Sequence, residues 1–69
     1  MNKVKYYLET EGYTFGADFA NWEIWVKGNE RMLYCPNEDK IMAHYEYGKE
    51  PLVEMDVAKG LVKIITEKR

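Results

Sequence analysis

Serine and glutamine are missing from the 69-residue sequence, and cysteine and histidine occur once each, as Cys35 and His44. Without serine, a common hydroxyl nucleophile is excluded. A single cysteine excludes an internal disulfide, and one cysteine with one histidine cannot supply the ligands of a structural zinc site. We therefore expect no catalytic residue, no metal and no cofactor, which argues against an enzyme.

Long apolar runs and basic clusters are also lacking. No stretch approaches the roughly 18 apolar residues that a membrane helix needs, and residues Met1–Tyr7 lack the apolar core of a signal peptide. The net charge is −2, with both signs interspersed, so no basic surface for nucleic acid is indicated. With its unpaired cysteine, the chain is expected in the cytoplasm, without membrane contact.

Aromatic residues are abundant: two Trp, six Tyr and two Phe. The chain, residues 1–69, is expected to form a single small domain, which would bury only about 60% of its unfolded surface. Domains of this size usually gain stability from a disulfide, a metal or another subunit. With the first two excluded, the sequence favours a dense aromatic core or self-association.

The N-terminal residues Asn2–Glu11 are predicted to form a helix. Val4, Tyr7 and Leu8 recur at helical spacing, Asn2 suits the N-cap, and Gly12 suits a left-handed residue at the C-terminal end. Gly16-Ala17-Asp18 is predicted to be a loop.

Three strands are predicted in the central part of the chain. Trp22–Val26 alternates in polarity as a strand does, and Gly28-Asn29 is typical of a two-residue hairpin turn into a second strand at Arg31–Cys35. A third strand is expected at Lys40–Tyr47. The predicted pairs between the first two strands are Trp22–Cys35, Glu23–Tyr34, Ile24–Leu33 and Trp25–Met32.

The length of the next loop decides which face of the third strand is buried. An odd loop, Asn37-Glu38-Asp39, pairs Cys35 with Ile41, whereas an even loop would bury Lys40, Met42 and His44. We favour the odd loop because it buries the more apolar set. The predicted core face then comprises Trp22, Ile24, Val26, Leu33, Cys35, Ile41, Ala43 and Tyr45.

A second helix is predicted from Pro51, which suits the first helical position. Its apolar face would carry Val53, Val57, Leu61, Ile64 and Ile65. A weaker alternative extends the third strand to about Met55 and starts the helix at Asp56. The predicted fold class is α+β: a three-stranded antiparallel sheet with two helices on one face, in the order α-β-β-β-α, and an open second face.

The residues with chemical potential do not group into a site. Cys35 and His44 are expected on opposite faces and about 10 Å apart along the strands, so Cys35 is interpreted as a small buried hydrophobe. His44 and Glu46 share a strand face as a weak metal site at best, and a solvated pair is the better interpretation. Glu38 and Asp39 are interpreted as turn formers.

The open face of the sheet is the predicted interface, formed by Trp25, Met32, Tyr34, Met42 and His44. Clustered exposed apolar residues usually mark a contact site. The alternative is that Thr14–Asn21 or the chain end folds over this face. The favoured function is a non-catalytic protein–protein interaction module, homodimeric through this face and analogous to accessory factors or inhibitors of phages and mobile elements.

The predicted α-β-β-β-α order is similar to that of double-stranded-RNA-binding domains. That resemblance implies a basic start to the second helix for phosphate contacts, whereas Pro51–Asp56 is acidic. Nucleic-acid binding is therefore the alternative function. A small-molecule pocket between helix and sheet ranks third, because so short a chain leaves little spare volume.

Overall fold

The computed structural model describes residues 2–67, which form one helix and six strands. Helix α1 is Lys3–Thr10, and the strands are β1 Thr14–Phe19, β2 Trp22–Lys27, β3 Glu30–Cys35, β4 Lys40–Glu46, β5 Leu52–Asp56 and β6 Leu61–Thr66. The first four strands form an antiparallel sheet in chain order, and β5 and β6 form a separate antiparallel hairpin, the C-terminal hairpin. The predicted three-stranded sheet with two helices is therefore wrong.

The C-terminal hairpin stands where a second helix was predicted. β6 is rich in β-branched residues, which lose side-chain freedom in a helix and favour strands. The turn between the strands is closed by a hydrogen bond from the Lys59 N–H to Asp56 Oδ1 at 3.2 Å. Gly60 follows with φ +65°, a left-handed conformation that ends any helical path. The alternative helix starting at Asp56 is wrong for the same reason.

Strand β1 stands where a loop was predicted at residues 16–18. It pairs with β2 along the sheet edge, with a bulge between Phe15 and Ala17. A Cβ on Gly16 would lie 2.7 Å from Val26 Cγ2 and 2.9 Å from the Ile24 carbonyl oxygen. The two strands can approach this closely because residue 16 has no side chain.

The predicted N-terminal helix and the first predicted hairpin are confirmed. Helix α1 lies within the expected range, and Gly12 has the expected left-handed conformation, with φ +93°. β2 and β3 pair Ile24 with Leu33 and Trp25 with Met32, as the Gly28-Asn29 turn predicts. No helix in the described part of the chain is long and apolar enough to span a membrane.

A bulge in β4 changes the register of the third predicted strand. Leu33 pairs with Ala43, as the odd loop requires, but Tyr34 pairs with Ile41, so that Met42 is an extra residue. Side chains alternate along a strand. The bulge therefore moves Ile41 to the face of Tyr34, against the prediction, and lets Met42 join the face of Leu33.

Both faces of the four-stranded sheet are covered, whereas one open face was predicted. Helix α1 covers the first face, and the buried residues there form the helix-side cluster, Leu8, Tyr13, Trp25 and Tyr34. The C-terminal hairpin covers the second face through Val62 and Ile64. The buried residues there form the hairpin-side cluster, Trp22, Leu33, Cys35 and Ala43.

Asp39, in the turn between β3 and β4, holds the start of helix α1. Asn2 makes no side-chain cap; instead, Asp39 Oδ2 accepts the Val4 N–H at 3.2 Å and Oδ1 accepts the Lys5 N–H at 3.4 Å. The hydroxyl of buried Tyr34 donates to the same carboxylate at 2.6 Å. This Tyr34 hydrogen bond is the main cause that lowers the pKa of Asp39. A negative charge near the N-terminus of a helix also interacts favourably with the helix dipole, so the Asp39 carboxylate stabilises α1.

Candidate interaction surface

The five predicted interface residues do not form one accessible surface in the protomer. Trp25 is only 4% exposed and Tyr34 is fully buried, both beneath α1, and Met32 packs against the same cluster. Met42 packs on the opposite side of the sheet, and His44 is exposed. The sheet face that carries Trp25, Met32 and Tyr34 is covered by α1 rather than by residues 14–21 or the chain end. A partner role for these five residues stays a prediction. For Trp25, Met32 and Tyr34 it would require α1 to leave the sheet.

Trp25 has its contacts satisfied inside the protomer. Its indole Nε1–H donates to Glu23 Oε1 at 3.0 Å. Its ring makes edge-to-face contacts with Phe15 and Tyr34, at centroid distances of 6.2 and 6.4 Å. Such aromatic pairs add to the free energy of burial. Trp25 is therefore a core residue in this fold.

The structure does not bring Cys35 and His44 together. The Cys35 sulfur is buried in the hairpin-side cluster, with Glu38 Oε2 at 3.8 Å. His44 Nε2 instead lies 2.6 Å from Glu30 Oε2, in an exposed pair. No group of three or more His, Cys, Asp or Glu side chains within residues 2–67 is placed to hold a metal ion.

A broad hollow of about 590 Å³ lies beside β4. Its lining includes two charged pairs, Glu30 with His44, and Glu46 with the Lys49 ammonium at 3.6 Å. These pairs are exposed, and such pairs contribute little to stability.

The C-terminal hairpin presents a different apolar surface. Because Val62 and Ile64 pack on the sheet, Leu61 and Lys63, which alternate with them, face away from it. Ile65 is the extra residue of a bulge between the Val53–Ile64 and Leu52–Thr66 pairs, and its exposed side chain is grouped with them. Leu52, Leu61 and Ile65 are 58%, 56% and 60% exposed. We call this surface the outer hairpin face, and its residues are Leu52, Glu54, Asp56, Leu61, Lys63 and Ile65.

The charges on the outer hairpin face are divided between its two strands. Glu54 pairs directly with Lys63 across the hairpin, and Asp56 pairs with Leu61. β5 therefore presents acidic side chains, and β6 presents a cation between two aliphatic side chains. The sequence analysis did not predict this surface, because the second helix predicted there placed Leu61, Ile64 and Ile65 together on a buried face.

Other exposed apolar side chains are dispersed over the molecule. Tyr6 and Tyr7 lie on α1 and Phe15 on the edge strand β1. The Tyr47 ring is partly covered by the Arg31 guanidinium, 5.0 Å from the ring centroid. Single exposed apolar residues are normal on protein surfaces, so the outer hairpin face is the better candidate for a contact surface.

Comparisons of the chain with protein-family models, with curated proteins and with solved structures find no match.

Proposed function

We propose that this chain is a non-catalytic protein–protein interaction module that forms a homodimer through its outer hairpin face. The supporting observation is the exposure of Leu52, Leu61 and Ile65 on one side of a two-stranded hairpin. Burying one such side chain against a partner contributes about 2 kcal/mol, before the cost of association is subtracted.

The charge pattern favours one arrangement of the two copies. Homodimers usually have a two-fold axis. If the axis runs parallel to the strands, β5 of one copy lies over β6 of the other. Glu54 then faces the partner's Lys63, and Leu52 lies near the partner's Ile65. An axis across the strands would instead place Glu54 over the partner's Glu54, where like charges repel. We therefore propose the first arrangement.

The size of the outer hairpin face predicts a weak dimer. A strand of six residues is about 20 Å long, and two strands with their side chains span about 10 Å. The surface buried on each copy is then about 200 Å², roughly a quarter of that in a standard interface. We expect a dissociation constant of about 100 µM, equivalent to about 5.5 kcal/mol.

Sedimentation equilibrium over a concentration range that spans this value tests the proposal. The wild-type mass should rise from that of a monomer toward that of a dimer, and Ile65→Lys should remain monomeric. Tyr6→Lys is the matched control, because Tyr6 is 71% exposed on the helix layer, away from the hairpin. A wild type that stays monomeric at millimolar concentration, or an Ile65→Lys variant that dimerises normally, would contradict the proposal.

The alternative function, nucleic-acid binding, depended on the α-β-β-β-α order of elements. That order is not observed, because β5 and β6 form a hairpin where a second helix was expected. A cytoplasmic accessory factor or inhibitor of a phage or mobile element is one setting for the proposed module. Small size and analogy support that setting.

A further inference from the structure

The four-stranded sheet separates two buried clusters, and α1 contributes to the helix-side cluster through Leu8. The hairpin-side cluster lies on the other side of the sheet, and all of its buried residues come from the strands β2, β3 and β4. Its cover is the C-terminal hairpin, through Val62 and Ile64. The packing on this second side therefore does not require α1 to be in place.

Helix α1 is held on the sheet at few points. Leu8 is fully buried, Val4 and Lys5 are half-buried, and the other five side chains of the helix are exposed. The Asp39 carboxylate accepts the N–H groups of Val4 and Lys5 at 3.2 and 3.4 Å, which are long for hydrogen bonds of this type. Isolated helices shorter than about 12–15 residues are marginal in water, and α1 has eight residues. These contacts with the sheet therefore keep α1 folded.

The chain between α1 and β1 provides a hinge. Glu11 ends the helix, and the exposed Gly12 follows with φ +93°. Tyr13 then returns the chain to the helix-side cluster. Glycine reaches other backbone conformations at low steric cost, so rotation at Gly12 moves α1 while β1 stays in the sheet.

We propose that α1 is a lid that opens as a unit while the four-stranded sheet and the C-terminal hairpin stay folded. The closed state hides Trp25 and Tyr34, and the open state exposes them. Segments with few buried contacts open locally at a lower free energy than the whole protein. The lid does not depend on the proposed dimer, because α1 and the C-terminal hairpin cover opposite sides of the sheet.

Native-state hydrogen exchange, followed by NMR, tests the proposal. It should be measured well below the dissociation constant expected for the dimer, so that the two proposals are tested separately. The amides of Tyr7 and Leu8 report on the middle of α1, and those of β2 and β3 report on the sheet. After correction for intrinsic rates, we expect Tyr7 and Leu8 to exchange equally, and at least tenfold faster than the sheet amides. Low concentrations of urea should hardly change exchange in α1, because local opening exposes little surface.

Two substitutions separate local opening from global unfolding. Gly28→Ala strains the β2–β3 turn, where φ is +58°, in the closed and open states alike. It should speed exchange in β2 and β3 about tenfold and leave Leu8 unchanged. Glu9→Gly, at an exposed position of α1, weakens the closed state alone. It should speed exchange at Leu8 and in the sheet by the same factor, about twofold to threefold.

Three results would overturn the proposal. The first is equal protection and equal urea dependence for Leu8 and the sheet, since α1 would then open only when the whole chain unfolds. The second is a Gly28→Ala variant in which exchange at Leu8 speeds up as much as in β2 and β3. The third is protection that differs by more than tenfold between Tyr7 and Leu8, which indicates fraying rather than opening as a unit. If Gly28→Ala does not fold, the urea series on the wild type decides between local and global opening.

Discussion

Replacing Tyr34 with Phe tests how α1 is attached to the sheet. The Tyr34 hydroxyl donates to Asp39 Oδ1 at 2.6 Å, and the same carboxylate accepts the Val4 and Lys5 N–H groups. Phe keeps the ring in the helix-side cluster and removes this one donor. The substitution therefore weakens the link between β3, the turn that carries Asp39, and the first turn of α1.

The expected loss of stability follows from the type of hydrogen bond. A hydrogen bond to a charged acceptor contributes about 1.5–3 kcal/mol. Asp39 is only half-buried, so water can replace the lost donor, and we expect Tyr34→Phe to lower the free energy of unfolding by about 1–2 kcal/mol. For a domain of this size, that corresponds to a melting temperature lower by about 4–15 °C.

The loss should depend on pH. Hydrogen bonding, chiefly from Tyr34, lowers the pKa of Asp39 in the folded protein. A carboxyl group with a lowered pKa stabilises the fold above its unfolded pKa, about 3.9, and loses that contribution as the pH falls through the folded value. The difference between wild type and Tyr34→Phe should therefore be full at neutral pH and should shrink below about pH 4.

Urea unfolding followed by tryptophan fluorescence at pH 7 and pH 3 measures both effects, at a fixed concentration where the protein is monomeric. Tyr13→Phe is the control, because Tyr13 lies in the same cluster and its hydroxyl has no hydrogen-bond partner among residues 2–67. We expect that control to change stability by less than about 0.5 kcal/mol. An equal loss at both pH values, or an equal loss in both variants, would refute the role given to the Tyr34–Asp39 hydrogen bond.

Three further substitutions test the packing of the sheet, and thermal unfolding measures all of them. Gly16→Ala should cost about 1–3 kcal/mol, because a Cβ there would meet Val26 and the Ile24 backbone. Gly28→Ala, with φ +58° but open space around it, should cost only about 1–2 kcal/mol; a larger loss at position 28 than at 16 would contradict the close approach of β1 and β2. Trp25→Ala should cost about 3–5 kcal/mol, as a core truncation does, and a neutral effect would contradict the burial of Trp25 beneath α1.

Local signals in the sequence predicted the N-terminal helix and the β2–β3 hairpin. Apolar residues at helical spacing, followed by Gly12, indicate the helix. Gly28-Asn29, between two segments in which apolar and polar residues alternate, indicates the hairpin. Both depend on residues close in sequence, so no knowledge of the rest of the fold is needed. The register of this hairpin then placed Trp25 and Ile24 correctly on opposite faces.

The remainder of the fold was not accessible to this reasoning, because tertiary packing decides it. Both faces of the central sheet are apolar, and alternation alone does not show which layer covers which face. The bulge at Ile41 and Met42 changes which side chains of β4 face each side of the sheet, and the apolar pattern of the sequence gives no sign of it. β1 is mostly exposed and contains Gly16, so it lacks the alternation expected of a strand.

The candidate site was missed for a related reason. Apolar residues at 57, 61, 64 and 65 fit a helical period, yet those of β6 equally fit a strand in which Ile64 faces the sheet and Ile65 faces solvent. The density of β-branched residues in β6 and the turn-forming Gly60 favoured the strand. Greater weight on those two features would have indicated the hairpin and its outer face.

The dimer proposal has its sharpest test in the charges of the outer hairpin face. Sedimentation equilibrium should be measured for Glu54→Lys alone, for Lys63→Glu alone and for their equimolar mixture. Each variant alone places like charges across the proposed two-fold interface and should stay monomeric where the wild type associates. Because Glu54 faces the partner's Lys63, the mixture brings opposite charges together at both contacts and should form a heterodimer.

Each variant keeps a like-charged pair within its own hairpin, so recovery in the mixture cannot come from repair inside one copy. The predicted result is loss of association in each separate sample and its return on mixing. A mixture as monomeric as its components, or single variants that associate as the wild type does, would contradict a homodimer built on the outer hairpin face.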